Sequence, residues 1–130
     1  MTDMGILRTT IGVESQARRG EVRELPDAMV DTGSEYTWIP RPVLQELGIG
    51  AERIEHFVTA DGRVIARETG YAIVHAGGTR TVDEVVLAEP GDMLLLGAHT
   101  LEGMNLRVDL KQKRLVPAGP VPAAATDAAA

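Results

Sequence analysis

The residues with the clearest chemical potential are Asp31-Thr32-Gly33-Ser34, a tetrapeptide that occurs once in the 130-residue chain. It follows the apolar run Ala28-Met29-Val30, so the Asp31 carboxylate is predicted to lie on a tight turn at the end of a buried strand. A carboxylate held in that position can serve as a general acid or base. The alternative reading is a plain β-turn, because Asp and Gly are both common turn formers.

The elements that must position this turn are predicted to be mostly strands. Alternating and β-branched apolar residues predict strands over 5–13, 21–31, 38–39, 54–60, 63–75, 80–88, 93–97, 106–110 and 114–117. Pro26 marks a bend or an edge position in the second of them. Asp61-Gly62 and Gly77-Gly78 are typical hairpin turns. Short helices are predicted over 40–48 and 98–103, so the fold class is all-β with one or two short helices.

Composition excludes several partners. The formal net charge is −6, and no uninterrupted run of basic residues is longer than Arg18-Arg19, so a nucleic-acid partner is not expected. No uninterrupted apolar run is longer than Met93 to Leu96, which is far shorter than the ~20 residues of a membrane-spanning helix, so no membrane partner is expected. The first residues carry no signal-peptide pattern, which predicts a cytoplasmic location.

Neither a metal nor another cofactor is expected. The chain has no cysteine, which excludes disulfides and thiolate metal sites. The three histidines, His56, His75 and His99, are far apart and share no ligand spacing. Length predicts one domain, over residues 1–117. The Ala- and Pro-rich residues 118–130 hold almost no large apolar side chain and are predicted to be a disordered tail.

The order and spacing of these motifs resemble those of the single-domain, retropepsin-like aspartic proteases, in particular the small bacterial and archaeal members. The resemblance covers about residues 5–117. It rests on Asp31-Thr32-Gly33-Ser34, on a flap-like hairpin at Asp61-Gly62 and on a second hairpin at Gly77-Gly78. The resemblance also includes an apolar-apolar-Gly strand, Leu95-Leu96-Gly97, and a short helix from His99 to Met104.

The resemblance implies a closed retropepsin-like barrel and a homodimer that hydrolyses peptide bonds. One copy of the motif supplies half a site, so the catalytic pair would be Asp31 and the partner subunit's Asp31. Gly33 would let backbone N–H groups approach the carboxylate. Thr32 would bond to the other subunit's turn, and Ser34 would bond the outer carboxylate oxygen. Leu95, Leu96 and Gly97 would pack beneath the turn.

The substrate would be a polypeptide held under a flap. The resemblance assigns the flap to Thr59, Ala60, Asp61, Gly62 and Arg63. Tyr36 and Trp38 are candidates to line the substrate site, although each could instead serve as a surface or core residue. Retroviral members carry Arg after the apolar-apolar-Gly, where this chain has Ala98, and their flap tip is richer in Gly.

Two other functions stay open at this point. The first is a catalytically silent dimer of the same fold that binds peptides or scaffolds an assembly, which the absent Arg and the polar flap would suit. The second is phosphoryl transfer through an aspartyl-phosphate. That chemistry needs a Lys and further acids around Mg²⁺ on an α/β fold, and this β-rich chain offers no such pattern.

Overall fold

The computed structural model describes residues 6–125. These residues form β1 (Leu7–Glu14), β2 (Arg23–Val30), β3 (Thr37–Pro40), α1 (Arg41–Glu46), β4 (Arg53–Val58), β5 (Val64–Ala76), β6 (Thr79–Ala88), β7 (Leu95–Leu96), α2 (Ala98–Gly103), β8 (Leu106–Asp109) and β9 (Arg114–Pro117). The prediction of an all-β fold with short helices is confirmed.

The main sheet closes on itself. Its strand order is β1-β2-β7-β3-β6-β5-β4, and β1 also pairs with β5 through Gly12, Val13 and Glu14. This second pairing closes a ring of hydrogen-bonded strands that leaves β4 outside, paired along β5. β8 and β9 form a separate two-stranded sheet. The ring brings the end of β2 beside β7 and β3, where the Asp31 turn lies.

The core fills the ring and extends under both helices. Its fully buried side chains come from α1 and from strands that are far apart in the sequence, and they include Ile11, Val13, Ile39, Leu44, Val74, Val85, Leu87 and Leu96. Burying such aliphatic side chains contributes about 1.5–3 kcal/mol each. The strands around the Asp31 turn are therefore anchored from within the ring.

Most predicted elements shift by one or two residues at their ends, and two of the differences have a clear structural reason. The strand expected over 93–97 is reduced to Leu95–Leu96, because the preceding residues belong to the loop 89–92 and its exit, and Met93 is 51% exposed. The hairpin expected around Asp61-Gly62 has a longer loop, since the last strand pair is Val58 with Val64. The Gly77-Gly78 turn is as predicted, with both glycines at positive φ and Ala76 paired with Thr79.

Pro26 lies at an irregularity in β2, as predicted. The register between β1 and β2 shifts between Thr9 and Ile11, and the neighbouring Asp27 has a φ of 62°. An extra residue in one strand bends it and increases its twist. The bulge therefore bends β2 a few residues before the strand ends at the Asp31 turn.

The start of the predicted tail is tied to the domain. Ala118 N donates to the Asn105 carbonyl at 2.9 Å, and Asn105 Nδ2 donates to the Gly119 carbonyl at 2.7 Å. Residues 120–125 have no helix or strand, and residues 126–130 lie outside the described part of the chain. No helix within residues 6–125 is long and apolar enough to cross a membrane.

Candidate functional site

The Asp31 turn begins where β2 ends and is held from below by β7. Asp31 N donates to the Leu96 carbonyl at 3.0 Å, and Ser34 N donates to the Asp31 carbonyl at 3.2 Å. The Asp31 side chain is half-buried, and its Oδ1 accepts a hydrogen bond from Gly33 N at 2.9 Å. The backbone therefore holds the Asp31 carboxylate near the surface and fixes its direction.

Among the described residues, neither hydroxyl beside Asp31 bonds to its carboxylate. Ser34 Oγ donates to the Tyr36 carbonyl at 3.1 Å, so the expected bond to the outer carboxylate oxygen is not formed in the protomer. A serine hydroxyl readily bonds to backbone two residues on, and Ser34 takes this local partner. Thr32 is exposed at the tip of the turn, with no side-chain hydrogen bond to the described residues.

Leu95, Leu96 and Gly97 lie directly beneath the turn. Both leucines are buried, and a Cβ added to Gly97 would lie 2.3 Å from the Tyr36 carbonyl oxygen and 2.9 Å from that of Ser34. Only a glycine permits this approach. The segment after Asp31 thus rests on the junction between β7 and α2.

An open groove of about 660 Å³ runs beside the turn. Its aromatic wall consists of Tyr36, Trp38 and Phe57. The Trp38 and Phe57 ring centroids are 5.0 Å apart, and Tyr36 meets Phe57 edge to face at 5.4 Å. Gly33 and Ser34 form the end of the groove nearest Asp31. A groove of this size is large enough to accommodate a large side chain next to the Asp31 turn.

A group of charged residues supports the aromatic wall. Arg53 Nε lies 2.6 Å from Glu84 Oε2, Arg53 NH1 lies 3.2 Å from Glu55 Oε2, and Arg53 NH2 donates to the Tyr36 hydroxyl at 2.9 Å. Burial raises the pKa of Tyr36, so its hydroxyl stays protonated. The Arg53 guanidinium lowers the pKa of Glu84. The pKa of Glu55 is lowered first by the His56 backbone N–H and then by Arg53.

The predicted flap tip is an exposed, self-bonded loop. Thr59 N donates to the Arg63 carbonyl at 2.8 Å, Gly62 N donates to the Thr59 carbonyl at 2.9 Å, and Arg63 Nε donates to Asp61 Oδ2 at 3.0 Å. Thr59 Oγ1 also donates to Asp61 Oδ1. Thr59, Ala60, Asp61, Gly62 and Arg63 do not line the groove. The β4 residues 55–58 line it instead.

The structure therefore brings some of the predicted site residues together, leaves others apart, and adds residues that were not predicted. Tyr36 and Trp38 share the groove with Gly33 and Ser34, whereas the flap tip lies apart from them in the protomer. Sequence reasoning missed Phe57 and Glu55, which line the groove. The aromatic character of Phe57, one of four aromatic residues, could have indicated it. No local pattern marks Glu55, because its place beside Tyr36 depends on contacts between residues 19 positions apart.

Within residues 6–125, no group of three or more His, Asp or Glu side chains is arranged to hold a metal ion. The candidate site therefore consists of one carboxylate on a fixed turn, an aromatic groove beside it and a hairpin beyond the groove.

Comparison with known families agrees with this arrangement. A family model described as gag-polyprotein putative aspartyl protease matches residues 14–103. The match includes the Asp31 turn, the groove, the hairpin between β4 and β5, and β7 with α2. No curated protein matches the chain.

Proposed function

Because this chain belongs to the gag-polyprotein putative aspartyl protease family, we propose that it is a homodimeric aspartic endopeptidase. The observation that carries the proposal is the position of Asp31. Its carboxylate is oriented by Gly33 N–H at the tip of a braced turn, next to a groove large enough for a peptide side chain. The chain has one such motif, so two chains are needed for a pair of carboxylates.

In the proposed reaction the two Asp31 carboxylates lie about 3 Å apart and share one proton, since like charges at that distance cannot both ionise. The ionised carboxylate takes a proton from a water molecule, which attacks the scissile carbonyl carbon. The protonated carboxyl polarises the carbonyl oxygen. The amide nitrogen then gains a proton and leaves. The pKa values belong to the pair rather than to either residue.

The dimer that this chemistry needs has a two-fold axis through the turn. A two-fold interface uses the same patch on both subunits, so the most exposed part of the turn meets its own copy. Thr32 is exposed there, which suits a hydroxyl that bonds across the axis. In this arrangement the groove of each subunit takes one side of the substrate.

The groove and the hairpin supply the substrate contacts in this proposal. Tyr36, Trp38 and Phe57 offer apolar surface to a substrate side chain. The hairpin tip, Thr59–Arg63, would close over the peptide and exclude water from the reaction. Its exposed position in the protomer is compatible with that movement.

The test is cleavage of a diverse peptide pool and of an unfolded protein, from acid to neutral pH. Asp31→Asn should abolish cleavage and leave the fold intact, because Asn cannot take up the proton from water. Asp27→Asn is the matched control, since Asp27 is an exposed carboxylate on the same strand, and it should retain activity.

Full activity of Asp31→Asn would contradict the proposal. A wild-type protein that binds peptides tightly and cleaves none of them would instead favour the silent peptide-binding dimer, in which the two carboxylates do not meet.

A further inference from the structure

A buried line of hydrogen bonds runs from β6 to the residue beneath the Asp31 turn. Gly97 N donates to Thr37 Oγ1 at 2.9 Å, the hydroxyls of Thr37 and Thr100 lie 2.5 Å apart, and Thr100 Oγ1 donates to Asp83 Oδ2 at 2.9 Å. Thr37 and Thr100 are both 0% exposed. We call these four residues the hydroxyl relay.

The Asp83 carboxylate fixes the direction of every bond in the relay. A carboxylate only accepts, so the Thr100 hydroxyl donates to it. The Thr37 hydroxyl must then donate to Thr100, which leaves its lone pairs to accept from Gly97 N. The other Asp83 oxygen, Oδ1, accepts from Glu84 N at 2.8 Å. Both oxygens of Asp83 are thus engaged by donors, and a bond to a charged acceptor is about twice as strong as one between neutral groups.

The relay joins the elements that hold the catalytic turn. Asp83 is on β6, Thr100 on α2 and Thr37 on β3, while Gly97 links β7 to α2. The neighbouring residue Leu96 supplies the carbonyl that accepts from Asp31 N. A shift of Gly97 would therefore move the hydrogen-bond partner of the catalytic residue.

The start of α2 is bonded to the catalytic segment as well. Ala98 N donates to the Ser34 carbonyl at 2.7 Å, and His99 N donates to the Glu35 carbonyl at 3.1 Å. The first N–H groups of a helix have no partner within it, and here that segment supplies the acceptors. The methyl side chain of Ala98 offers no ion pair to the turn, so the bracing is done by backbone groups and by the relay.

From this geometry we propose that Asp83 is a positioning residue, which holds the Asp31 turn in place through Thr100, Thr37 and Gly97. It does not touch the substrate. The kinetic part of the inference rests on the proposed peptidase function, whereas the structural part does not.

The structural part is tested by amide hydrogen exchange in the folded protein. Asp83→Asn replaces one accepting oxygen by an NH₂ group, so one of the two donors at this position loses its acceptor. Asp83→Asn, Thr100→Val and Thr37→Val should each speed exchange at the Gly97 and Asp31 amides by about tenfold or more, while the core Val74 amide changes much less.

Conservative and matched variants complete this comparison. Thr100→Ser and Thr37→Ser keep the hydroxyls and should exchange like the wild type. Glu102→Gln, which removes an exposed carboxylate from the same helix, should also behave like the wild type. An equal increase at Gly97, Asp31 and Val74 would mean that the relay serves only global stability, and it would overturn the proposal.

The kinetic part is tested with the same variants and a cleavable peptide. The three relay-breaking substitutions should lower kcat by about tenfold or more, since small misplacement of catalytic groups is costly, and should leave KM within about twofold. The serine variants should recover kcat. Faster exchange at Gly97 with an unchanged kcat would contradict a positioning role. If the wild type cleaves nothing, the proposed function fails, and the exchange comparison still decides whether Asp83 holds the turn.

Discussion

Phe57 links the aromatic groove to the segment that follows Asp31. It contacts Trp38 on one side and Tyr36 on the other, and these two residues follow Asp31 within the same segment. Pairs of aromatic rings in this geometry stabilise each other by about 0.5–1.5 kcal/mol beyond the area they bury. In the proposed peptidase, a wall held in this way before substrate arrives would lower the entropic cost of binding.

Truncation of this ring should weaken substrate binding. Phe57→Ala should raise KM by about tenfold or more and change kcat less, because the lost contact is made equally in the ground state and the transition state. The control is Ile54→Ala on the same strand, since Ile54 is 59% exposed and does not line the groove. Steady-state kinetics on one peptide measures both. Equal KM values for the two variants would show that Phe57 does not contact the substrate.

At the residue scale, the sequence predicts those features that depend on a few consecutive residues. Asp31-Thr32-Gly33 predicts a turn because Asp and Gly are both common turn formers. The partner of the Ser34 hydroxyl is harder to predict, since a hydroxyl can bond any of several nearby oxygens, and within the protomer it donates to the Tyr36 carbonyl. The partnership of Thr37 and Thr100 spans 63 residues and depends on the closed ring, so no sequence window contains it.

At the element scale, the short β7–α2 segment has a larger role than its length indicates. β7 lies between β2 and β3, and Gly97 then brings the chain under the Tyr36 carbonyl. The strands before and after Asp31, β2 and β3, are therefore both held by the β7–α2 segment. Any side chain at position 97 would push that segment away.

Gly97→Ala should accordingly destabilise the fold. The new Cβ would lie 2.3 Å from the Tyr36 carbonyl oxygen, and relieving this clash should cost about 3 kcal/mol in the free energy of unfolding. Gly50→Ala is the control, because nothing lies within 4 Å of its added Cβ, and it should change stability little. Urea unfolding of both variants measures the difference. Equal stability of the two would refute the close approach at Gly97.

The strands themselves were predictable to different degrees. The hairpin at Gly77-Gly78 follows directly from two residues that favour positive φ. β7 was predicted too long, because the run from Met93 to Leu96 is uniformly apolar and only pairing partners determine where a strand begins. Its neighbours β2 and β3 are distant in sequence, and their ladder pairs involve only Leu95 and Leu96.

At the scale of the whole molecule, a buried ionic contact accompanies closure of the ring. Glu14, 3% exposed, lies where β1 meets β5 and accepts hydrogen bonds from Gly20 N at 2.6 Å and Arg19 Nε at 2.9 Å, with His75 Nε2 at 2.7 Å. The Gly20 N–H, followed by Arg19 and His75, lowers the pKa of Glu14 from 4.5 to about 2. The bonds favour the ionised form.

This lowered pKa predicts a pH dependence of stability. The unfolded chain takes up a proton at Glu14 as the pH falls below about 4.5, whereas the folded chain does so near 2. The stabilisation is therefore complete above pH 4.5 and is lost as the pH falls towards 2. Glu14→Gln should flatten the fall in unfolding free energy between pH 5 and about 2, as measured by urea unfolding.

Glu24→Gln is the control for this experiment, because Glu24 is an exposed carboxylate on the neighbouring strand β2. It should retain the wild-type slope. A Glu14→Gln slope equal to that of wild type would show that the lowered pKa does not govern acid stability.

The proposed active site is completed only when two whole molecules associate. One protomer presents one Asp31, one groove and one hairpin, and the acid–base chemistry needs a second carboxylate. In the proposed dimer each ring would hold its own Asp31 turn, and the two-fold contact would bring the two carboxylates together.

Mixing wild-type and Asp31→Asn subunits tests this central claim most directly. Wild-type protein is equilibrated with an equal amount of the variant, and cleavage is compared with that of wild type alone at the same total concentration. If each active dimer needs both carboxylates, random pairing should leave about one quarter of the activity. If one chain acts alone, about half should remain, and that result would contradict the account.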